Sequence, residues 1–169
     1  MWVYNGNEIN QDYFGIDQSE CEHYGFVYIV TNHLTGRKYV GKKVLWSKRT
    51  LPPLKGKKRK RIVIKPSDWM KYWGSSKVVM ADMERFGKDV FSREIIGLYP
   101  DKRETNYAEL CFQIYANVLG EVDSNGNRVW YNENIDRVYY NSVNYSDHRK
   151  RMHDKLNEQF SPNNKKQRD

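Results

Sequence analysis

Nine cations, Lys48, Arg49, Lys55, Lys57, Lys58, Arg59, Lys60, Arg61 and Lys65, follow one another along the chain with no acid between them. Like charges at this density repel unless something anionic lies among them, and phosphate groups suit that place. Lys42 and Lys43 stand just ahead of the run. Tyr28 and Tyr39 precede it, one on each side of a glycine-containing turn. Tyr72-Trp73-Gly74-Ser75-Ser76 follows it, with rings that can stack on bases and hydroxyls, Ser75 and Ser76, that can touch phosphate. Singly these are strand aromatics, a solvated loop and buried tryptophans. Together they point to a phosphate-bearing polymer.

The composition agrees. Lys and Arg number 29 against 21 acids, a net charge of +8 with a pI near 9.4. That excess favours a polyanionic partner without choosing between DNA, RNA and a membrane surface. No run approaches the roughly 18 apolar residues of a membrane span, and Met1 to Asn10 lacks the layout of a signal peptide. Cys21 and Cys111 show no metal-ligand spacing, and a reducing cytoplasmic setting is the default. Aromatic residues make up 14% of the chain, enough apolar area for a folded domain.

The elements that must position these residues are legible in outline. Residues 1–23 carry no clear period and are expected to form an arm on the domain. Tyr24 to Thr31 and Arg37 to Gly41, joined through Gly36, predict a hairpin. Residues 42–65 are expected as a basic insertion. Pro66-Ser67-Asp68 starts a predicted helix ahead of Trp69, and Ser75 or Ser76 caps another that Gly87 stops. Val90 to Tyr99 is a third predicted strand. A longer helix begins at Thr105 or Asn106, with Tyr107, Leu110, Cys111, Ile114 and Val118 at helical spacing and Cys111 therefore expected in the core. Asp123 to Asn127 is a turn and Val129 to Tyr131 a short extended segment. Ser146 caps a last polar helix to about Gln159, and a basic tail expected to be disordered starts at Ser161.

Phe26-Val27-Tyr28 and Tyr39-Val40-Gly41, at the facing edges of the predicted hairpin, resemble the paired motifs of the GIY-YIG nuclease family. The likeness continues through Tyr28-Ile-Val-Thr-Asn32, Gly36 and Lys38-Tyr-Val-Gly41 and covers about residues 24–134. One departure is that the family's first glycine falls at Phe26, with Gly25 just before it. The resemblance implies an arginine on a helix after the second motif, matched by Arg49. It also implies a glutamate on the long helix, matched by Glu109, and a late asparagine, matched by Asn132.

What the resemblance implies chemically is phosphodiester hydrolysis. Glu109 would hold Mg²⁺ or Mn²⁺, Arg49 would bind the scissile phosphate, and Tyr28 and Tyr39 would flank the attacking water. Where many members carry a histidine this chain has none, so Lys42 or Lys43 is the candidate; strand alternation favours Lys43, which shares a face with Tyr39 and Gly41. Its ammonium would lower a tyrosine pKa.

The expected fold is α/β (α+β), a small three-stranded, mainly antiparallel sheet flanked by helices over residues 24–134. Residues 135–169 add a polar helix and tail. The expected partner is double-stranded DNA, with a homodimer left open and no membrane. The short remainder after Asn134 favours a free-standing phage or mobile-element homing-type nuclease, in the host cytoplasm, or a dimeric restriction-type enzyme. The rivals are a nucleic-acid-binding protein that keeps the fold without cutting, and a basic RNA-binding module.

Overall fold

The computed structural model describes residues 1–15, 18–140, 150–155 and 157. In chain order the strands and helices are β1 (Trp2–Tyr4), β2 (Asn7–Ile9), β3 (Gly25–Asn32), β4 (Lys38–Val44), β5 (Trp46–Leu51), β6 (Arg61–Pro66), α1 (Lys77–Phe86), β7 (Phe91–Tyr99), α2 (Lys102–Tyr115), β8 (Asn134–Ile135) and β9 (Tyr139–Tyr140). The main sheet has five strands in the order β2-β1-β7-β3-β4, not three. The predicted hairpin and third strand are its centre and one edge: β3 pairs antiparallel with both β4 and β7. The extra strands come from the segment read as an arm, with β1 running parallel to β7 and antiparallel to β2. Strands of three residues are too short to show a period.

Side-chain alternation divides the sheet into two faces. Trp2, Phe26, Tyr28 and Val30 point to one, against Val79 and Met83 of α1 and Trp69. Val27 and Val40 point to the other, with Val118, Leu119 and Trp130 beyond α2. Trp2 is fully buried, edge-on to Phe26 and Tyr28, and its indole Nε1 donates to the Trp69 carbonyl at 2.9 Å. Gly25 is where the chain needs room: a Cβ there would lie 2.8 Å from the Lys43 carbonyl and 3.4 Å from Thr105 of α2. Phe26 beside it packs on the opposite face against Trp69.

Helix ends follow local chemistry. Ser76 accepts from Val79 N and Gly87 closes α1 at φ +87°, while Asp101 caps α2 by accepting from Arg103 N and Glu104 N. The basic insertion starts on β4 and continues as a ribbon of β5 on β6, separate from the main sheet. Two expectations need correction. Pro66 to Trp73 gives only a single tight turn, Trp69–Lys71, because Pro66 ends a strand. Tyr107, Cys111 and Ile114 face outward, so Cys111 is not in the core. α2 packs on the sheet through Ala108, Leu110 and Phe112, while Glu109 and Gln113, one turn apart, border a cleft. Residues 150–155 and 157 are helical. Ser146, most of the last helix's thin apolar side and the tail from Ser161 lie outside the described residues.

Candidate active site

A cleft of about 690 Å³ opens at the outer edge of β4. It straddles that strand. Tyr39, Tyr72, Ser75 and Ser76 line it from the face that carries α1, and Lys42, Glu109 and Gln113 from the face that carries α2. The segment Tyr131 to Arg137 closes its far side. A Lys38–Trp130 bridge pairs that segment with the start of β4, so the strand's free edge is exposed only beyond Val40.

Glu109 and Lys42 meet across the open edge, Nζ to Oε2 at 2.6 Å, with the carboxylate the less exposed partner. Lys43 points the other way. Its ammonium donates to Asp68 at 2.6 Å and lies 3.8 Å from the centre of the Tyr72 ring. Alternation rightly gives Lys43 the tyrosine face, but the lysine beside the candidate carboxylate is Lys42.

The tyrosines are not equivalent. Tyr39 lines the cleft, its hydroxyl 3.5 Å from Ser75 Oγ. Tyr28 lies behind it, fully buried, and its hydroxyl has no hydrogen-bond partner among the described residues. A register shift between Val27 and Tyr28 leaves Ile96 of β7 without an opposite residue, a bulge that re-aims the strand at this point. Burial pushes both phenols up, Tyr28 well above the usual 10, with the neighbouring tyrosines adding to it; Ser75 works against burial at Tyr39. Both are neutral at pH 7. Glycines make this packing fit: a Cβ on Gly41 would sit 2.7 Å from Tyr28 Oη, and one on Gly74 3.2 Å from Tyr39 Cε1.

Asn132 is buried, and its amide spans the backbone of one residue, donating to Val40 O at 2.9 Å and accepting from Val40 N at 3.0 Å. It completes the edge strand where the Trp130 bridge stops. Replacing it by Leu, similar in volume, orphans two buried backbone groups at about 1–3 kcal/mol each. Urea unfolding of Asn132→Leu should show that loss, with cleavage per folded molecule far less affected. An unchanged midpoint with lost cleavage would make Asn132 a catalytic group instead.

Arg49 does not join this cluster. It is exposed on the ribbon opposite Val63, on a strand and not a helix, and does not line the cleft. Lys48, Lys55, Lys57, Lys58, Arg59, Lys60 and Arg61 are likewise exposed on the ribbon and its loop. The cations that line the cleft are Lys42, Lys77 and Arg137, the last two overlooked in the sequence. Arg93 was overlooked too. It is 5% exposed, donates to the Met70 and Tyr72 carbonyls, and lies between the Trp2 and Trp73 rings. Burial lowers its pKa to about 10, so it stays charged and fixes the turn that lays Tyr72 over the site.

Among the described residues no group of three or more His, Cys, Asp or Glu is placed to hold a metal. A hard divalent cation asks for less, one or two carboxylates plus waters and substrate oxygens, and Glu109 facing an open cleft fits that demand. No helix among the described residues is long and apolar enough to cross a membrane.

An α+β domain with paired tyrosine strands and a carboxylate helix at one sheet edge defines a class. Residues 2–135 match the family model described as "Putative endonuclease segE, GIY-YIG domain". The chain belongs to the GIY-YIG endonuclease family. Comparison with curated proteins and with solved structures gave no match.

Proposed function

We propose that this chain is a Mg²⁺- or Mn²⁺-dependent endonuclease that hydrolyses duplex DNA at the cleft on the edge of β4. The observation that carries the reading is that Glu109, Lys42 and Tyr39 face one open cleft from opposite sides of a strand reduced to backbone at Gly41. Lys42, Lys77 and Arg137 draw the phosphate backbone into the cleft. Glu109 would hold the metal, which would supply Lewis acidity. Lys42, beside it in the cleft, is placed to pair with phosphate oxygen. Tyr39, neutral at pH 7, orients water through its oxygen lone pair, its hydroxyl held beside Ser75 Oγ at 3.5 Å. Tyr28 holds Tyr39 from behind.

The biological setting carried with this reading is a phage or mobile-element nuclease of the homing type. A dimeric restriction-type enzyme is the alternative, and its cutting rate would rise more steeply than linearly with enzyme concentration. The test is supercoiled plasmid with and without divalent metal. Nicked or linear product in Mg²⁺ or Mn²⁺, abolished by chelator and restored by metal, is expected. Salt-sensitive binding with no product under any metal would leave a binding protein on this fold.

A further inference from the structure

The ribbon of β5 and β6 is chemically unlike the rest of the surface. From Lys48 to Lys65 only Leu51, Pro53 and Val63 are even partly buried. An isolated two-stranded ribbon is marginal in water, so the chain keeps this one for something it meets. Its base is fixed: Trp46 is buried, Ser67 Oγ donates to Val44 O at 2.6 Å, and Ser67 N to Leu45 O at 2.8 Å. Beyond that base none of its nine cations forms an ion pair among the described residues.

The pairing register sorts its side chains. Lys48 lies opposite Ile64 and Thr50 opposite Ile62, so these four share one face; Arg49, Val63, Leu51 and Arg61 share the other. Ile62 and Ile64 are 58% and 41% exposed. Exposed β-branched methyls between cations fit poorly with bare phosphate contact, where charge alone suffices. They do fit base edges, where apolar groups meet the thymine methyl and Thr and Lys meet hydrogen-bonding atoms.

Geometry selects the groove. Two strands about 4.8 Å apart, with side chains, fill a major groove about 12 Å wide and are too broad for a minor groove of about 6 Å. The deep, narrow major groove of A-form RNA excludes them. The ribbon also begins at Trp46, directly after the strand that carries Lys42 to the cleft, so what it grips lies beside what the cleft holds.

We infer that the β5–β6 ribbon enters the major groove of B-form DNA next to the cleavage site, Ile62, Ile64, Thr50 and Lys48 against base edges and Lys55 to Arg61 on the flanking phosphates. This rests on the nuclease reading for the word cleavage only. The experiment uses the full chain on one 30-bp DNA duplex, on the RNA duplex of the same sequence, and on supercoiled plasmid. Dimethyl sulfate reports guanine N7 in the major groove. Protection of N7 by the wild type, lost in Ile62→Ala/Ile64→Ala at nearly unchanged affinity, is expected, with RNA bound at least tenfold more weakly. Lys57→Gln/Lys58→Gln/Lys60→Gln should flatten the slope of log affinity against log salt by about 0.9 for each phosphate contact removed. N7 left reactive by bound wild type, protection that survives the isoleucine changes, or equal binding of RNA overturns the proposal. Plasmid cut without N7 protection sinks the ribbon and keeps the nuclease. Protection without cutting does the reverse.

Discussion

Glu109→Gln is expected to lower plasmid cleavage by about 10²–10³-fold, the scale set by loss of a single group that stabilises the transition state. Gln keeps the volume and can still accept from Lys42, so the local packing survives. What goes is the negative charge that a hard cation needs. The Lys42–Glu109 pair is 37% and 18% exposed, and such a pair contributes at most about 1 kcal/mol once water screens it. The melting temperature should therefore move by no more than about 4 °C. DNA binding should hold or tighten, because Lys42 loses its carboxylate and the phosphate loses a repulsive neighbour. Mn²⁺ binding to the DNA-free protein, followed by electron paramagnetic resonance, gives a readout apart from turnover and should weaken in the same variant. Cleavage at the wild-type rate would remove Glu109 from the reaction.

How much of this site could be read from the sequence depends on where each residue sits in its element. Tyr28, Tyr39 and Glu109 stood out through motifs whose order the fold preserves, and all three lie around one strand edge. The two lysines divide between the faces of β4. Alternation puts Lys43 on the tyrosine face, 3.8 Å from the Tyr72 ring, and Lys42 on the face of Glu109. The cleft wraps around the edge strand, so the residue on the opposite face is the one that meets α2. α2 shows a similar division. Its core contacts are Ala108, Leu110 and Phe112, Glu109 and Gln113 border the cleft, and Tyr107, Cys111 and Ile114 face out. The apolar stripe chosen from the sequence was therefore displaced around the helix from the one that packs.

The ribbon was hidden by its own charge. Arg61-Ile-Val-Ile-Lys65 is β-branched and strand-forming, but the density of cations drew attention to charge and left the segment without an element. Arg49 shows the consequence. The resemblance implies an arginine on a helix, whereas Arg49 is a strand residue paired with Val63 on the ribbon and does not line the cleft. Gly25, just before the position where the first motif's glycine is expected, is required by its own neighbours: a Cβ there would meet the Lys43 carbonyl and Thr105, on the face opposite Phe26.

Gly41→Ala tests how the two tyrosines work. The residue's φ is not among the positive ones, so the backbone accepts alanine, and the whole effect passes through side chains. The new Cβ would lie 2.7 Å from Tyr28 Oη and 2.9 Å from Tyr39 Cε1, closer than real contacts allow. Tyr28 has nowhere to go: it is fully buried against Trp2, Phe26 and Tyr72. Tyr39 is the one that can yield, outward into the cleft it lines. Overpacking of this kind costs about 1–3 kcal/mol, and displacing a positioned group by an ångström costs cleavage about 10²-fold. Binding of DNA should barely change, because no cation is altered. Adding Tyr28→Phe to Gly41→Ala removes the atom that meets the new methyl first and leaves Tyr39 Cε1 at 2.9 Å and Tyr28 Cζ at 3.0 Å, so stability should return in part, measured by thermal melting. Activity then separates two roles that burial makes indistinguishable by eye. If cleavage returns with stability, Tyr28 serves as the wall that places Tyr39, in keeping with a phenol sealed from solvent and pushed well above its usual pKa. If stability returns and cleavage does not, while Tyr28→Phe alone is also slow, the buried hydroxyl takes part in the proton path. The expected result is the first.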